Sequence, residues 1–328
     1  MPRSIVAWLL TLLAWLSSNP LWGQQSVSSE ELSTPRSAIT SELVGTTKAE
    51  VEAALQRNDF PEAERVLVKE IDRKPRSPEL LRLLGHLFFL DRKYLNCAVA
   101  MKKADAINGL DERGRFLLAM SYVRLKRNDW ARPELLRLQR EFPKAALYPY
   151  WIGRLDYSNQ RFQAAVDNFQ KARSLDSKFA KAADNLGLAF EALGKQAEAL
   201  IAYEEANKLN RLDARSPWPP HNMGSILSRI GRFDEAEALL RESIQYDGSF
   251  ARSHYQLGTL LDKRSRLAEA VEEFQRAASS DPSFAEPQYA LMKAYRKQGD
   301  MERSRQAMEA FQRIKARRQK EPERTSQN

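Results

Sequence analysis

The chain has 328 residues with a formal charge of +9, 43% apolar and 29% charged residues, and only 13 glycines. That balance excludes collagen-like, low-complexity and wholly apolar membrane classes. It favours packed helices with an acidic partner, whether peptide, nucleic acid or anionic surface. The one cysteine, Cys97, excludes an intrachain disulfide and stands where neighbouring repeats place alanine, so a buried structural thiol is expected.

Residues 1–23 have the order of an export signal. Arg3 gives a positive start, residues 5–16 an apolar core, and Ser17, Ser18, Asn19 and Pro20 break it. The apolar run is shorter than the roughly 20 residues that span a bilayer, so cleavage after Gly23 is expected rather than an anchor. A periplasmic or secreted protein with no stable membrane span after cleavage follows. Residues 24–43, rich in Ser, Thr, Gln and Glu, are expected to be a disordered linker.

From residue 44 to 318 one pattern recurs, clearest at 251–282. Leu257, Gly258 and Leu261 lie on a first helix, Ser265 and Arg266 in a turn, and Leu267, Ala270, Phe274 and Ala277 on a second. Apolar residues fall at helical spacing in each half. Gly258 and Ala270 are small where the helices cross, and Asp281-Pro282 ends the second helix. A shift of about 34 residues brings the pattern back, as in Leu291, Tyr295, Gly299 and Met301 forward, or Gly224, Leu227, Gly231 and Phe233 backward. In chain order, Val51, Phe60 and Ala63 belong to the first unit; Gly85, Tyr94 and Cys97 to the second; Gly153, Phe162 and Ala165 to the fourth; Gly187, Ala199 and Tyr203 to the fifth. The third is irregular: Trp130 comes late and Pro133 stands where alanine is expected, so a longer turn is predicted there. At 211–220 the phase jumps by about three residues. That is read as a longer loop, either a partner contact or a drifted turn. Residues 304–318 look like a capping helix, and 319–328 like a disordered polar tail.

This period and pattern closely resemble the tetratricopeptide repeat family. The resemblance implies an all-α fold, a right-handed α–α superhelical solenoid of about eight tandem helix-turn-helix repeats. It also implies that the first helix of each pair lines a concave groove.

No catalytic or metal constellation is present in the sequence. His86, His221 and His254 lie in different repeats without a second ligand at helical spacing, and the glycines follow the repeat rather than a phosphate loop. No cofactor is expected, and no enzyme activity. The groove-facing residues implied for repeats four to eight are Tyr150, Trp151, Arg154, Asn185, Trp218, His221, Asn222, Arg252, Tyr255, Gln256 and Lys293. Rings give contact area, amides can bond an extended backbone, and cations hold carboxylates. Asn185 and Asn222 match the asparagine that peptide-binding relatives use, whereas the carboxylate clamp of chaperone-binding relatives is not matched. The expected function is an exported, non-catalytic adaptor that binds an acidic protein or peptide segment. Two alternatives stand beside it: a scaffold that uses its convex face or termini in an envelope complex, and a binder of anionic surfaces or nucleic acid. Interleaved acids and the export signal argue against nucleic acid.

Overall fold

Short turns of constant length set the architecture. A computed structural model describes residues 43–213 and 215–325, with side chains as far as 319; the export signal and nearly all of the linker expected at 24–43 lie outside the described residues. Within them are sixteen helices and no strand: α1 Gly45–Gln56, α2 Phe60–Arg73, α3 Pro78–Leu90, α4 Tyr94–Asn108, α5 Glu112–Arg124, α6 Asn128–Glu141, α7 Leu147–Ser158, α8 Phe162–Leu175, α9 Ala180–Ala192, α10 Gln196–Leu212, α11 Trp218–Arg229, α12 Phe233–Tyr246, α13 Ala251–Lys263, α14 Leu267–Ser280, α15 Ala285–Lys297 and α16 Met301–Thr325. They pair in order, odd with even, through eight turns of three residues.

Each of those turns holds one residue in the left-handed region: Asn58, Arg92, Lys126, Gln160, Gly194, Gly231, Ser265 and Gly299. The spacing is constant except between 194 and 231, where three residues have been added. A left-handed residue reverses the chain tightly and directs the second helix back along the first. Crossing geometry then follows from small residues. A Cβ on Gly85, Gly153, Gly187, Gly224 or Gly258 would come within 2.9 Å of Met101, Phe169, Tyr203, Leu240 or Phe274 respectively. Facing these, Ala63, Cys97, Ala131, Ala165, Ala199, Ala236 and Ala270 are fully buried.

That register corrects the third repeat. Lys126 holds its turn in phase and α6 starts at Asn128, so the turn is no longer than the others. Ala131, not Pro133, takes the alanine position, while Pro133 lies inside α6. Trp130 comes late because Asn128 occupies the slot that Phe162 fills in α8; it packs edge-on against Tyr122 with the Arg127 guanidinium over its ring at 3.6 Å.

The phase jump at 211–220 is also mostly helix. The extra residues lengthen α10 to 17, against 14 in α8 and α12, so that in the connection between α10 and α11 the described residues are only 213 and 215–217. Asn210 closes that connection: its amide nitrogen donates to the Ser216 carbonyl at 2.8 Å, and its amide oxygen accepts from the Ser216 N–H at 2.8 Å. Arg211 clamps α10 to α12 through two bonds to Glu242 of 2.7 and 2.5 Å. At the other end the chain stays helical beyond 318: α16 reaches Thr325, so 319–325, expected as a disordered tail, is helix.

The helices form two compact units, one closing at Asp176 with α1–α8 and one opening at Ser177 with α9–α16. In the second unit Leu227, Leu240, Leu257, Leu261, Phe274, Leu291 and Tyr295 make a continuous core. Successive first helices there, α9 with α11, α11 with α13 and α13 with α15, touch one another, and no comparable contact joins successive second helices. The first-helix side of this unit is therefore its inner side.

Candidate functional site

The inner side of the second unit is built from α11, α13 and α15. Trp218 opens α11, Arg252 lies in the first turn of α13 with Tyr255 and Gln256 one turn on, and α15 carries Tyr289 and Lys293. Trp218, Arg252, Tyr255 and Gln256 are partly exposed, Tyr289 is 40% exposed and Lys293 is exposed. Arg252 places its guanidinium 5.7 Å from the ring centres of both Trp218 and Phe284. Lys293 sits over Tyr289 at 4.5 Å, and Gln256 donates to Ser225 Oγ at 3.1 Å. Phe250 and Phe284, which precede α13 and α15 in Asp-x-Ser-Phe turns, wall this row from below. Reading those turns only as helix terminators missed them; the shared Asp-x-Ser-Phe spelling at 247–250 and 281–284 was the available signal.

Six of the residues implied to face the groove are buried instead. In the first unit Tyr150, Trp151 and Arg154 are at most 6% exposed. Trp151 packs against Phe116, Tyr150 against Phe169, and the Arg154 guanidinium lies 4.5 Å over the Trp151 ring. Large rings on a first helix fill the space beside the neighbouring helices, so their size works against exposure. In the second unit Asn185 donates to the Lys181 carbonyl at 2.8 Å, and Asn222 donates to both oxygens of the buried Asp184 at 3.0 and 3.1 Å. These amides, expected to grip a ligand backbone, are engaged within the fold. The Asp184–Asn222 pair had no signal in sequence, because it joins positions one residue off the repeat register on two successive first helices, which aligning equivalent positions does not bring together.

His221 is buried too. Its Nδ1 bonds Ser253 Oγ at 3.0 Å, Ser253 bonds Ser243 Oγ at 2.6 Å, and Ser243 donates to the Pro217 carbonyl at 2.7 Å. Burial, with the nearby charge of Arg252, pushes the His221 pKa down to about 3, so the ring is neutral. A histidine on a serine has the look of a nucleophile pair, but Ser243 and Ser253 are fully buried and no substrate reaches them. The chain of bonds ties α11, α12 and α13 together.

The other histidines are equally structural. His254 bonds Glu273 through Nδ1 at 2.6 Å and the Gly248 carbonyl through Nε2 at 3.0 Å. Partly buried His86 donates from Nδ1 to the Arg82 carbonyl at 2.9 Å. Cys97 is fully buried, and burial pushes its thiol up to about 12, so it is unreactive at neutral pH. Among the described residues no group of His, Cys, Asp or Glu could hold a metal ion, and no helix is long and apolar enough to cross a membrane. The first unit has an open cavity of about 360 Å³ lined by Lys126, Asn128, Asp129, Arg132, Asn159 and Arg161. Arg132 and Arg161 are held there by the buried Asp156 at 2.5 and 2.7 Å.

The tetratricopeptide repeat family model matches residues 116–178, 150–214 and 221–285, half of the chain. The protein belongs to the tetratricopeptide repeat family. Solved structures agree on the fold. A tetratricopeptide repeat protein from Parabacteroides merdae superposes with a TM-score of 0.61 at 17% identity, covering 76% of this chain and 97% of that one. PilW, a widely conserved type IV pilus biogenesis factor, gives 0.56 at 19% identity over 61% and 92%. The APC/C hetero-tetramer Cut9–Hcn1 gives 0.59 at 14% identity over 74% of this chain and 48% of that one, so this chain spans about half its length. No curated protein matches the sequence. As a tetratricopeptide repeat protein the chain has the fold of a protein–protein interaction scaffold.

Proposed function

We propose that this tetratricopeptide repeat protein is a non-catalytic adaptor that docks an acidic, extended protein segment on the inner face of α11, α13 and α15. The observation that carries this reading is a difference in how cations are treated. Elsewhere in the second unit Arg211, Arg229, Arg241, Arg264, Arg266, Arg276 and Lys297 each have a carboxylate within ion-pair distance, and Glu237 alone serves three of them. Lys195 and Lys315 also lie over rings, Phe190 and Phe311, but stand at the start of the second helix α10 and on the second helix α16 rather than on the first-helix face. Arg252 and Lys293 rest on aromatic rings with no carboxylate partner among the described residues. A row of cations on rings, beside the partly open Tyr255 and Gln256, is suited to a segment that supplies the missing anions.

The test is affinity capture from an extracytoplasmic fraction with the full chain as bait. A Trp218→Ala/Tyr255→Ala variant with an unchanged melting curve serves as control. Partners lost with the variant support the inner face; partners retained equally move the function to the outer helices or the termini. Export forms part of the proposal and rests on residues 1–23 alone. Mass spectrometry of the purified protein checks it, with Gln24 the expected new N-terminus and an intact Met1 the contrary result.

A further inference from the structure

Arg252 combines features that no other arginine of the second unit shares. It stands between two aromatic walls, Trp218 and Phe284, each at 5.7 Å from the guanidinium. Phe250 backs the first wall edge-on at 4.8 Å and Tyr255 the second at 5.3 Å. The side chain is half-buried, and none of its N–H groups reaches an acceptor among the described residues. Burial holds its pKa below the usual arginine value, with Glu286 and Asp281 opposing that and Arg318 adding to it. None of these neighbours neutralises it at close range. Glu286 makes no ion pair with Arg252, and its Oε2 is sealed from solvent without a hydrogen-bond partner. Arg318 donates instead to the Ser283 carbonyl at 2.6 Å.

A partly desolvated guanidinium with five unused donors is costly, and packing alone does not require it: Met or Leu would fill the space between two rings without the charge. The two rings flank the guanidinium at 5.7 Å without accepting from any of its N–H groups, so its donors remain for a carboxylate in a two-pronged hydrogen bond. We propose that Arg252, walled by Trp218 and Phe284, is the anchor of a subsite for the side-chain carboxylate of an aspartate or glutamate within the docked segment. The proposal rests on the docking reading above and gives that face its specificity. The occupant is an internal side chain rather than a chain end. The row continues past Arg252 on both sides, to Trp218 on α11 and to Lys293 on α15, so the segment runs through the site.

The experiment is a titration of the full chain, labelled with nitrogen-15, followed through the Arg252 Nε–H and Trp218 Nε1–H resonances. The probe is the tripeptide acetyl-Leu-Glu-Leu-amide, with two comparisons: acetyl-Leu-Gln-Leu-amide, and acetyl-Leu-Gln-Leu with a free terminal carboxylate. The expected result is a saturable shift with the Glu peptide, at least tenfold tighter than with either Gln peptide. It should be lost in Arg252→Gln and weakened in Arg252→Lys, which keeps the charge but not the fork. Arg252→Gln should melt no lower than wild type, since it removes an unpaired charge. If it melts lower, Arg252→Lys carries the comparison. Equal binding of the Glu and amidated Gln peptides, or equal binding by wild type and Arg252→Gln at shifted Tyr255, Gln256 and Lys293 signals, overturns the anchor and leaves the docking face standing. Tight binding of the free-terminus peptide overturns the side-chain assignment. No shift at any residue of the row overturns both.

Discussion

At the residue scale the repeat turns and the buried histidines make opposite demands. A left-handed backbone costs a residue with a Cβ about 1–2 kcal/mol, partly offset because glycine loses more entropy on folding. Gln160→Gly should therefore stabilise the chain by up to about 1 kcal/mol, and Gly194→Ala should destabilise it by a similar amount, read from denaturant midpoints at constant slope. His254 carries the clearest pH dependence. Both its ring nitrogens face acceptors, so the native geometry calls for the imidazolium. Burial opposes that charge, but hydrogen bonds to Glu273 and the Gly248 carbonyl, with the charge of Glu273, outweigh it and raise the pKa above the ordinary value. A raised folded value means stability that is complete below the unfolded pKa, about 6.5, and lost as pH rises through the folded one. The melting temperature of the wild type should fall through that range, and that of His254→Gln should not follow it. Parallel profiles for the two proteins would contradict the assignment.

At the element scale, close helix crossing and the lengthened α10 decide the fold. Gly187→Ala places a Cβ 2.5 Å from the Tyr203 ring, which is fully buried and has no free space to move into. The expected loss is about 1–3 kcal/mol, measured by chemical unfolding, with the largest gain in hydrogen exchange in α9 and α10. Asn210→Ala removes both bonds to Ser216 and should cost about 1–3 kcal/mol, with faster exchange at the start of α11. Pairing of helices was legible in sequence because glycine, alanine and aromatic positions recur at one period. The third repeat was misread by anchoring on Pro133 and Trp130, when Ala131 and Lys126 hold the phase. Residues 211–220 looked like a loop because of their three prolines, but Arg211 and Leu212 end α10, and Pro219 and Pro220 stand in the first turn of α11, where a missing N–H is tolerated.

At the scale of the whole molecule the site was legible only in part. Periodicity gives the first-helix face, but not how far neighbouring helices close over it. Trp218, Arg252, Tyr255, Gln256 and Lys293 keep exposed surface, while Tyr150, Trp151, Arg154, Asn185, His221 and Asn222 do not. The partners that bury the last of these, such as Asp184 against Asn222, lie off the repeat period and cannot be found by counting. The net charge of +9 also says less than it suggests, because many arginines of the second unit spend their charge on carboxylates of the same unit. Partner binding should therefore fall only modestly between low and physiological salt, unlike the steep loss expected for a nucleic-acid contact. The most direct test of the account places a photoreactive residue at Lys293 on the inner face and, in a second protein, at Ile201, which is 67% exposed on the second helix α10. Each is irradiated with an extracytoplasmic fraction. The account predicts a cross-linked partner from position 293 and none from 201; a partner captured from 201 alone would contradict it.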